Sequence, residues 1–172
     1  MFNETSIIEN LRSNFKKTDV CWYTNANMIC QQIAMRYELS VDLVSKVVAT
    51  LSPYNKWIRN IDDSVNLIRE YKNGGSHENV SSSTFWRNKI KAWNILCGKQ
   101  VSFDNSLKTF SFYRNLLLDP LYVTIDVWYL RACGFLGHLT KKRYNIIKDI
   151  TISEAKNQGI IGYQYQSMFW SN

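Results

Sequence analysis

Apolar side chains recur along most of the chain at the three- and four-residue spacing of an α-helix. The segment 41–51 is apolar on nearly every side, which is typical of a buried helix, and Ser40 before it is a suitable N-cap. Pro53 ends this helix, and Asn60 and Thr140 are predicted to begin two others. The pattern predicts about nine helices and therefore an all-α fold.

The length of 172 residues suits one compact helical domain over 1–172. The polar, Ser-rich stretch 76–83 is the place where two helical subdomains would meet. Trp86 and Trp93 lie seven residues apart on one predicted helix, and we expect both, together with Trp128, to be core residues. The chain has no apolar run of about 18 residues and no signal-peptide pattern at its start, so we expect no membrane span and a cytoplasmic protein.

Four cysteines are scattered along the chain, at Cys21, Cys30, Cys97 and Cys133. Their spacing matches neither a zinc site nor an iron–sulfur site, so we expect reduced, mostly buried thiols and no metal or cofactor. The only histidines, His77 and His138, are isolated in predicted loops. Walker A, serine-hydrolase and HExxH patterns are missing from the sequence, which removes support for those enzyme classes.

The chain is basic, with 21 Lys and Arg against 14 Asp and Glu and a net charge of +7. The run Lys141, Lys142 and Arg143 opens a predicted helix, where three positive charges oppose the helix dipole. A phosphate backbone would neutralise them, so we predict DNA contacts for this run and for Arg114. The alternative is a solvated surface.

One stretch, residues 106–134, carries candidate chemistry. Lys108 falls in the first turn of a predicted helix, where the dipole and unpaired N–H groups favour a neutral, nucleophilic amine. Asp126 opens the next helix, where the dipole favours a carboxylate. An amine and a carboxylate at one centre suit Schiff-base chemistry at a sugar C1′. An exposed lysine and an ordinary N-cap aspartate are the alternative.

This stretch resembles the helix-hairpin-helix DNA glycosylases of the endonuclease III type. Lys108, the 18-residue step to Asp126 and the apolar segment running into Ile-Asp-Val-Trp carry the resemblance. The segments 51–60 and 164–170 resemble a glycosylase-like group common in bacteriophages. The resemblance implies a helical bundle whose two helical halves flank a cleft, with Lys108 and Asp126 as catalytic residues. A phage origin would place the protein in a bacterial host cell.

The resemblance also implies a pocket for a flipped base. Tyr54, Asn55 and Trp57 follow Pro53 in a predicted non-helical turn, and they offer aromatic faces and an amide to a base. Gln166 near the C-terminus is a fourth candidate for this pocket. The function implied is a DNA N-glycosylase, with or without AP-lyase activity, acting as a monomer on duplex or single-stranded DNA.

The hairpin before the lysine departs from the family. In place of a Gly-rich loop the chain has Phe103, Asp104 and Asn105, of which Asn105 still permits a turn. The four-cysteine iron–sulfur loop is also missing. Two further functions therefore stay open, a phage enzyme that hypermodifies DNA bases on the same scaffold and a non-catalytic DNA-binding helical domain.

Overall fold

The computed structural model describes residues 2–16, 20–103 and 106–170, and these residues form helices and loops without any strand. This part of the chain contains nine α-helices. In order they are α1 (Glu4–Asn14), α2 (Trp22–Tyr37), α3 (Val41–Leu51), α4 (Trp57–Lys72), α5 (Trp86–Leu96), α6 (Leu107–Leu116), α7 (Val127–Ala132), α8 (Lys141–Asn157) and α9 (Gly162–Ser167). A short 3₁₀ helix, His77–Asn79, lies between α4 and α5. The predicted all-α fold is confirmed.

The chain divides into two compact units. The terminal unit contains Met1–Asn25 and Leu118–Asn172, and the central unit contains Ala26–Leu117. The divisions follow residues 25 and 117, while the Ser-rich stretch 76–83 lies inside the central unit. None of the helices described is both long and apolar enough to cross a bilayer.

Helix α3 is the centre of the central unit, because α4, α5 and α6 all pack against it. Its side chains Val47, Val48 and Leu51 are completely buried, and each such burial stabilises the fold by about 1.5–3 kcal/mol. The Ser40 hydroxyl accepts the backbone N–H of Leu43 at 3.1 Å. The predictions of a buried helix and of its N-cap are therefore confirmed.

Helix α8 packs against α1 and α9 in the terminal unit. Arg12 on α1 donates two hydrogen bonds, of 2.8 and 2.9 Å, to the carboxylate of Glu154 on α8. Because Glu154 is buried, its charge would be costly without this partner. Thr140 accepts the backbone N–H of Arg143 at 3.3 Å, so the predicted cap of α8 is confirmed.

The predicted helix start at Asn60 is wrong. Helix α4 begins three residues earlier, at Trp57, and Asn60 is a buried residue inside it. The Asn60 side-chain amide donates to the carbonyl of Val48 on α3 at 3.1 Å. Asn is a good N-cap because its short polar side chain satisfies a backbone group, and here the satisfied group belongs to another helix.

The tryptophan predictions are also corrected. Trp86, the first residue of α5, is 69% exposed, and Trp128 on α7 is 61% exposed. Trp93 is half-buried, with its ring against that of Tyr71. A shared helix face does not ensure burial at a helix end, where a side chain can extend past its packed neighbours. Trp128 instead lies under the guanidinium of Arg131, 4.6 Å from the ring centroid.

Candidate functional site

Asp126 is the N-cap of α7, as the sequence predicts. Its Oδ1 accepts the backbone N–H of Tyr129 at 2.8 Å, and its Oδ2 accepts the indole N–H of Trp170 at 3.1 Å. The residue is only 9% exposed. Both oxygens therefore meet N–H donors, an arrangement that suits a carboxylate, which can only accept hydrogen bonds.

Aromatic side chains surround the Trp170 indole that donates to Asp126. The ring of Trp22 packs edge-on against it with centroids 4.7 Å apart, and the ring of Tyr23 lies at 5.6 Å. Burial raises the pKa of the Tyr23 hydroxyl well above its ordinary value, so this group stays neutral. None of these aromatic residues was predicted to belong to the site, although the doublet Trp22-Tyr23 and Trp170, in the segment 164–170, were visible in the sequence.

Gln166 is connected to this cluster through Tyr23. The Tyr23 hydroxyl has two acceptors within hydrogen-bond distance of its single O–H, Thr124 Oγ1 at 3.0 Å and Gln166 Oε1 at 3.2 Å. The Gln166 side chain is fully buried, and its Nε2 has no hydrogen-bond partner among the described residues. A buried donor without an acceptor costs about 1–3 kcal/mol. Gln166 therefore keeps an unused donor close to the aromatic cluster.

Lys108 is the second residue of α6, and its side chain is exposed. This position agrees with the predicted first turn. Asp104 and Asn105, which precede the helix in the predicted turn, lie outside the described residues. Lys108 belongs to the central unit and Asp126 to the terminal unit. Their pairing at one reacting centre stays a prediction.

The other three predicted pocket residues belong to the central unit. Trp57 was expected in a turn, which is wrong, because it begins α4, where its ring packs edge-on against Phe112. Asn55 Nδ2 donates to Asp63 at 2.8 Å, while its buried Oδ1 has no partner in the part of the chain that the structure describes. The ring of Tyr54 lies in solvent. The pocket itself stays a prediction.

The predicted basic contacts differ in exposure. Lys141 and Lys142 are exposed in the first turn of α8. Arg143 is half-buried, and its Nη1 donates to the carbonyl of His138 at 2.8 Å while its guanidinium lies 5.7 Å from the Phe135 ring centroid. The two lysines are therefore better placed than Arg143 to meet a phosphate.

Arg114 lies in a charged network that the sequence analysis missed. Asp42 on α3 accepts hydrogen bonds from Lys46 Nζ at 2.7 Å and from the Tyr113 hydroxyl on α6. The guanidinium of Arg114 is 5.8 Å from the Tyr113 ring centroid. Burial would raise the pKa of Asp42, but the bonds from Lys46 and Tyr113 outweigh it and lower the pKa. The network links α3 to α6.

None of the four cysteines forms a disulfide. Cys21 and Cys97 are exposed, whereas Cys30 and Cys133 are buried. Burial raises the pKa of Cys30 to about 11 and that of Cys133 to about 12, so neither is a nucleophile at neutral pH. Within residues 2–16, 20–103 and 106–170, no three His, Cys, Asp or Glu side chains are grouped so that they could hold a metal ion.

Comparison with known proteins gives one finding. No curated protein and no solved structure matches the chain. The model of a protein family, described as "Family of unknown function (DUF7178)", matches residues 9–171, which is nearly the whole chain. The chain therefore belongs to the DUF7178 family.

Proposed function

We propose that the protein is a DNA N-glycosylase in which Asp126 supplies the negative charge and Lys108 the nucleophile. The observation that carries the proposal is the environment of Asp126, a nearly buried carboxylate held by two N–H donors beside an aromatic cluster. Breaking a glycosidic bond builds positive charge on the sugar, and a fixed carboxylate stabilises that charge. The resemblance of residues 106–134 to the glycosylases supports the same role.

The reaction follows from the two side chains. The lone pair of the Lys108 amine forms a bond to C1′ while the bond from C1′ to the base nitrogen breaks. The electron pair leaves with the base, which takes up a proton. The attacking nitrogen loses a proton, and its lone pair then forms the C=N bond of a Schiff base while the C1′–O4′ bond breaks and O4′ takes up a proton. β-Elimination from this Schiff base would cut the strand. The exposed position of Lys108 leaves its amine accessible to a DNA sugar.

Trapping with borohydride tests the nucleophile. The probes are a panel of modified-base oligonucleotides and one with an abasic site, because borohydride reduces a lysine Schiff base to a stable amine. We expect a covalent adduct with the wild type and none with Lys108→Ala. Lys72→Ala is the matched control, because Lys72 is an exposed helical lysine outside the proposed site. Equal trapping of Lys108→Ala would show that another amine reacts.

Base release tests Asp126. Asn caps helices about as well as Asp, so Asp126→Asn should keep α7 while removing the charge. We expect its rate of base release to fall by about 100-fold or more, the usual effect of losing one charge-stabilising group. A full rate would contradict the proposed role. A mass change in an intact nucleoside, without release of free base, would instead indicate base modification.

A non-catalytic DNA-binding domain is the second candidate. The observation that favours it is that both Asp126 oxygens already accept hydrogen bonds within the terminal unit, as a purely structural N-cap would. This function predicts binding to DNA without base release or borohydride trapping. It also predicts that Lys108→Ala and Asp126→Asn bind DNA as the wild type does.

A further inference from the structure

An exposed aromatic surface lies on the central unit, where the turn after α3 meets the loop before α5. The ring of Tyr54 is 89% exposed and packs edge-on against Phe85, with centroids 5.2 Å apart. Phe85 is itself 47% exposed, and the next residue in sequence, Trp86, is 69% exposed. We call Tyr54, Phe85 and Trp86 the aromatic platform. An aromatic ring that stays in water contributes no burial energy to the fold. Stability therefore does not explain why these rings are exposed together.

The backbone conformation of Tyr54 is energetically unfavourable. Its φ is +57°, in the left-handed region, which costs a residue with a Cβ roughly 1–2 kcal/mol. Gly or Asn usually occupies such a position, because Gly has no Cβ and the Asn side chain can bond locally. Neither burial nor backbone preference therefore accounts for a tyrosine here. Strained residues of this kind cluster at binding sites.

Hydrogen bonds hold the two segments of the platform together. The Asp63 carboxylate, which is buried, accepts the side-chain N–H of Asn55 and the backbone N–H of Ser83, each at 2.8 Å. The Thr84 hydroxyl donates to the Pro53 carbonyl at 2.9 Å. These hydrogen bonds connect the turn that contains Tyr54 to the loop that contains Phe85 at two points. The backbone under the two rings is therefore held in one arrangement.

Positive charge is concentrated around the platform. Segments 52–60 and 83–91 together contain five basic residues and no acidic residue. Three of the five, Lys56, Arg59 and Arg87, are exposed, and none of them forms an ion pair with a described residue. The guanidinium of Arg87 lies 5.1 Å from the centroid of the Phe85 ring. Arg87 therefore lies beside an exposed ring of the platform, and Lys56 and Arg59 are exposed cations within five residues of Tyr54 in sequence.

The remaining charges of these elements do not cancel this field. Lys89 donates to the Val80 carbonyl at 2.7 Å, and Lys91 lies over the Phe103 ring, so both are engaged in the fold. Asp63 is buried beneath the two loops, and Asp62 on α4 is the exposed carboxylate nearest in sequence. The surface charge of the two segments thus stays positive.

We propose that the aromatic platform binds single-stranded nucleic acid. Unpaired bases stack on Tyr54, Phe85 and Trp86, while Lys56, Arg59 and Arg87 contact the phosphates between them. Every base has a π-face, so stacking of this kind tolerates sequence. A duplex hides those faces inside its own stack and offers only phosphates to the platform. The surface goes beyond the proposed reaction and does not depend on it.

Fluorescence anisotropy with a labelled dT oligonucleotide and a matched duplex tests the surface. We expect the single strand to bind more tightly than the duplex. Tyr54→Asn removes the ring but keeps a residue that tolerates the left-handed turn, and it leaves the net charge unchanged. We expect Tyr54→Asn and Phe85→Ala each to weaken binding of the single strand by about 5- to 100-fold, the usual effect of one lost stacking contact.

The controls separate the platform from folding and from catalysis. Met35→Ala removes an exposed apolar side chain elsewhere on the central unit and should bind as the wild type does. Because the assay requires no turnover, it measures the platform whether or not the glycosylase proposal holds. Wild-type affinity in both platform variants, or a preference for the duplex, would overturn the proposal.

Discussion

Asp63 shows how one buried side chain can organise two loops. Its Oδ2 takes hydrogen bonds from Asn55 and from the backbone of Ser83, although these residues are 28 positions apart in sequence. Asp63 lies three residues after Asn60, where the acidic partner of a capping box would lie if Asn60 began a helix. Asp63 is instead an interior residue of α4, and its carboxylate connects the segments of Asn55 and Ser83, which lie outside that helix.

Asp63→Ala should therefore destabilise the protein. The change leaves two N–H donors without their acceptor, so we expect the free energy of unfolding to fall by about 2–3 kcal/mol in urea titration. Asp62→Ala is the matched control, since Asp62 is the exposed neighbour on the same helix, and it should stay within about 0.5 kcal/mol of the wild type. Equal losses in both variants would contradict a specific role for Asp63.

The cysteines give a second test at the residue scale. A raised pKa lowers the fraction of reactive thiolate, and Cys30 and Cys133 are also closed to solvent. At pH 8 we expect Ellman's reagent to modify Cys21 and Cys97 rapidly in the native protein and all four thiols in denaturant. Rapid labelling of a native double variant Cys21→Ser/Cys97→Ser would show that the buried thiols are open to solvent.

At the scale of elements, α3 contributes two different surfaces to the central unit. Its apolar residues are buried against the neighbouring helices, while Asp42 in its first turn receives a hydrogen bond from Tyr113 on α6. The apolar surface follows from the helical pattern of the sequence. The link to Tyr113 joins residues 71 positions apart, and only the packing of α3 on α6 brings them together.

The Asp42 network should make stability depend on pH. A carboxyl whose pKa is lowered in the folded state contributes stability above its unfolded pKa, near 4, and loses it as the pH falls through the folded pKa. We expect Asp42→Asn to unfold more easily than the wild type at pH 7, by less than about 1 kcal/mol because the carboxylate is half exposed. The difference should shrink as the pH falls below 4 and through the lowered pKa of Asp42. A difference in stability between Asp42→Asn and the wild type that does not change with pH would contradict a role for the Asp42 carboxylate charge.

At the scale of the whole molecule, the net charge of +7 is unevenly distributed along the chain. The two segments around the aromatic platform contribute five positive charges to it, and the first turn of α8 contributes three. Arg143, one of those three, is half-buried against aromatic rings, which leaves Lys141 and Lys142 as the exposed pair. Binding to a polyanion should therefore depend on a few exposed side chains rather than on the total charge.

Salt dependence measures this contribution. The affinity for a dT oligonucleotide should fall linearly on a double logarithmic plot against salt concentration, by about 0.7 in slope for each phosphate contact. We expect the double variant Lys141→Ala/Lys142→Ala, which removes two such contacts, to reduce the slope by about 1.4. Lys72→Ala, which removes a single exposed charge on α4, should change it by much less. An unchanged slope in the double variant would show that α8 does not contact phosphates.

The sequence by itself determined the helices and several of their boundaries. Ser40, Asp126 and Thr140 cap the helices that follow them, as predicted, because a cap depends on residues only three positions away. Where a tertiary contact competed with the local N-cap preference, the prediction from sequence was wrong. Asn60 has the features of an N-cap, yet it lies inside α4, since a carbonyl of α3 satisfies its amide.

Tertiary structure alone decided which polar and aromatic side chains meet. Trp170 donates to Asp126 across 44 positions, and Tyr23 reaches Gln166 across 143. It also decided that Trp86 is exposed rather than buried in the core. Helix formation is governed by neighbours within one turn, whereas burial depends on residues far apart in the chain. A hydrophobic pattern therefore predicts the elements, but the contacts between them follow only from the packed chain.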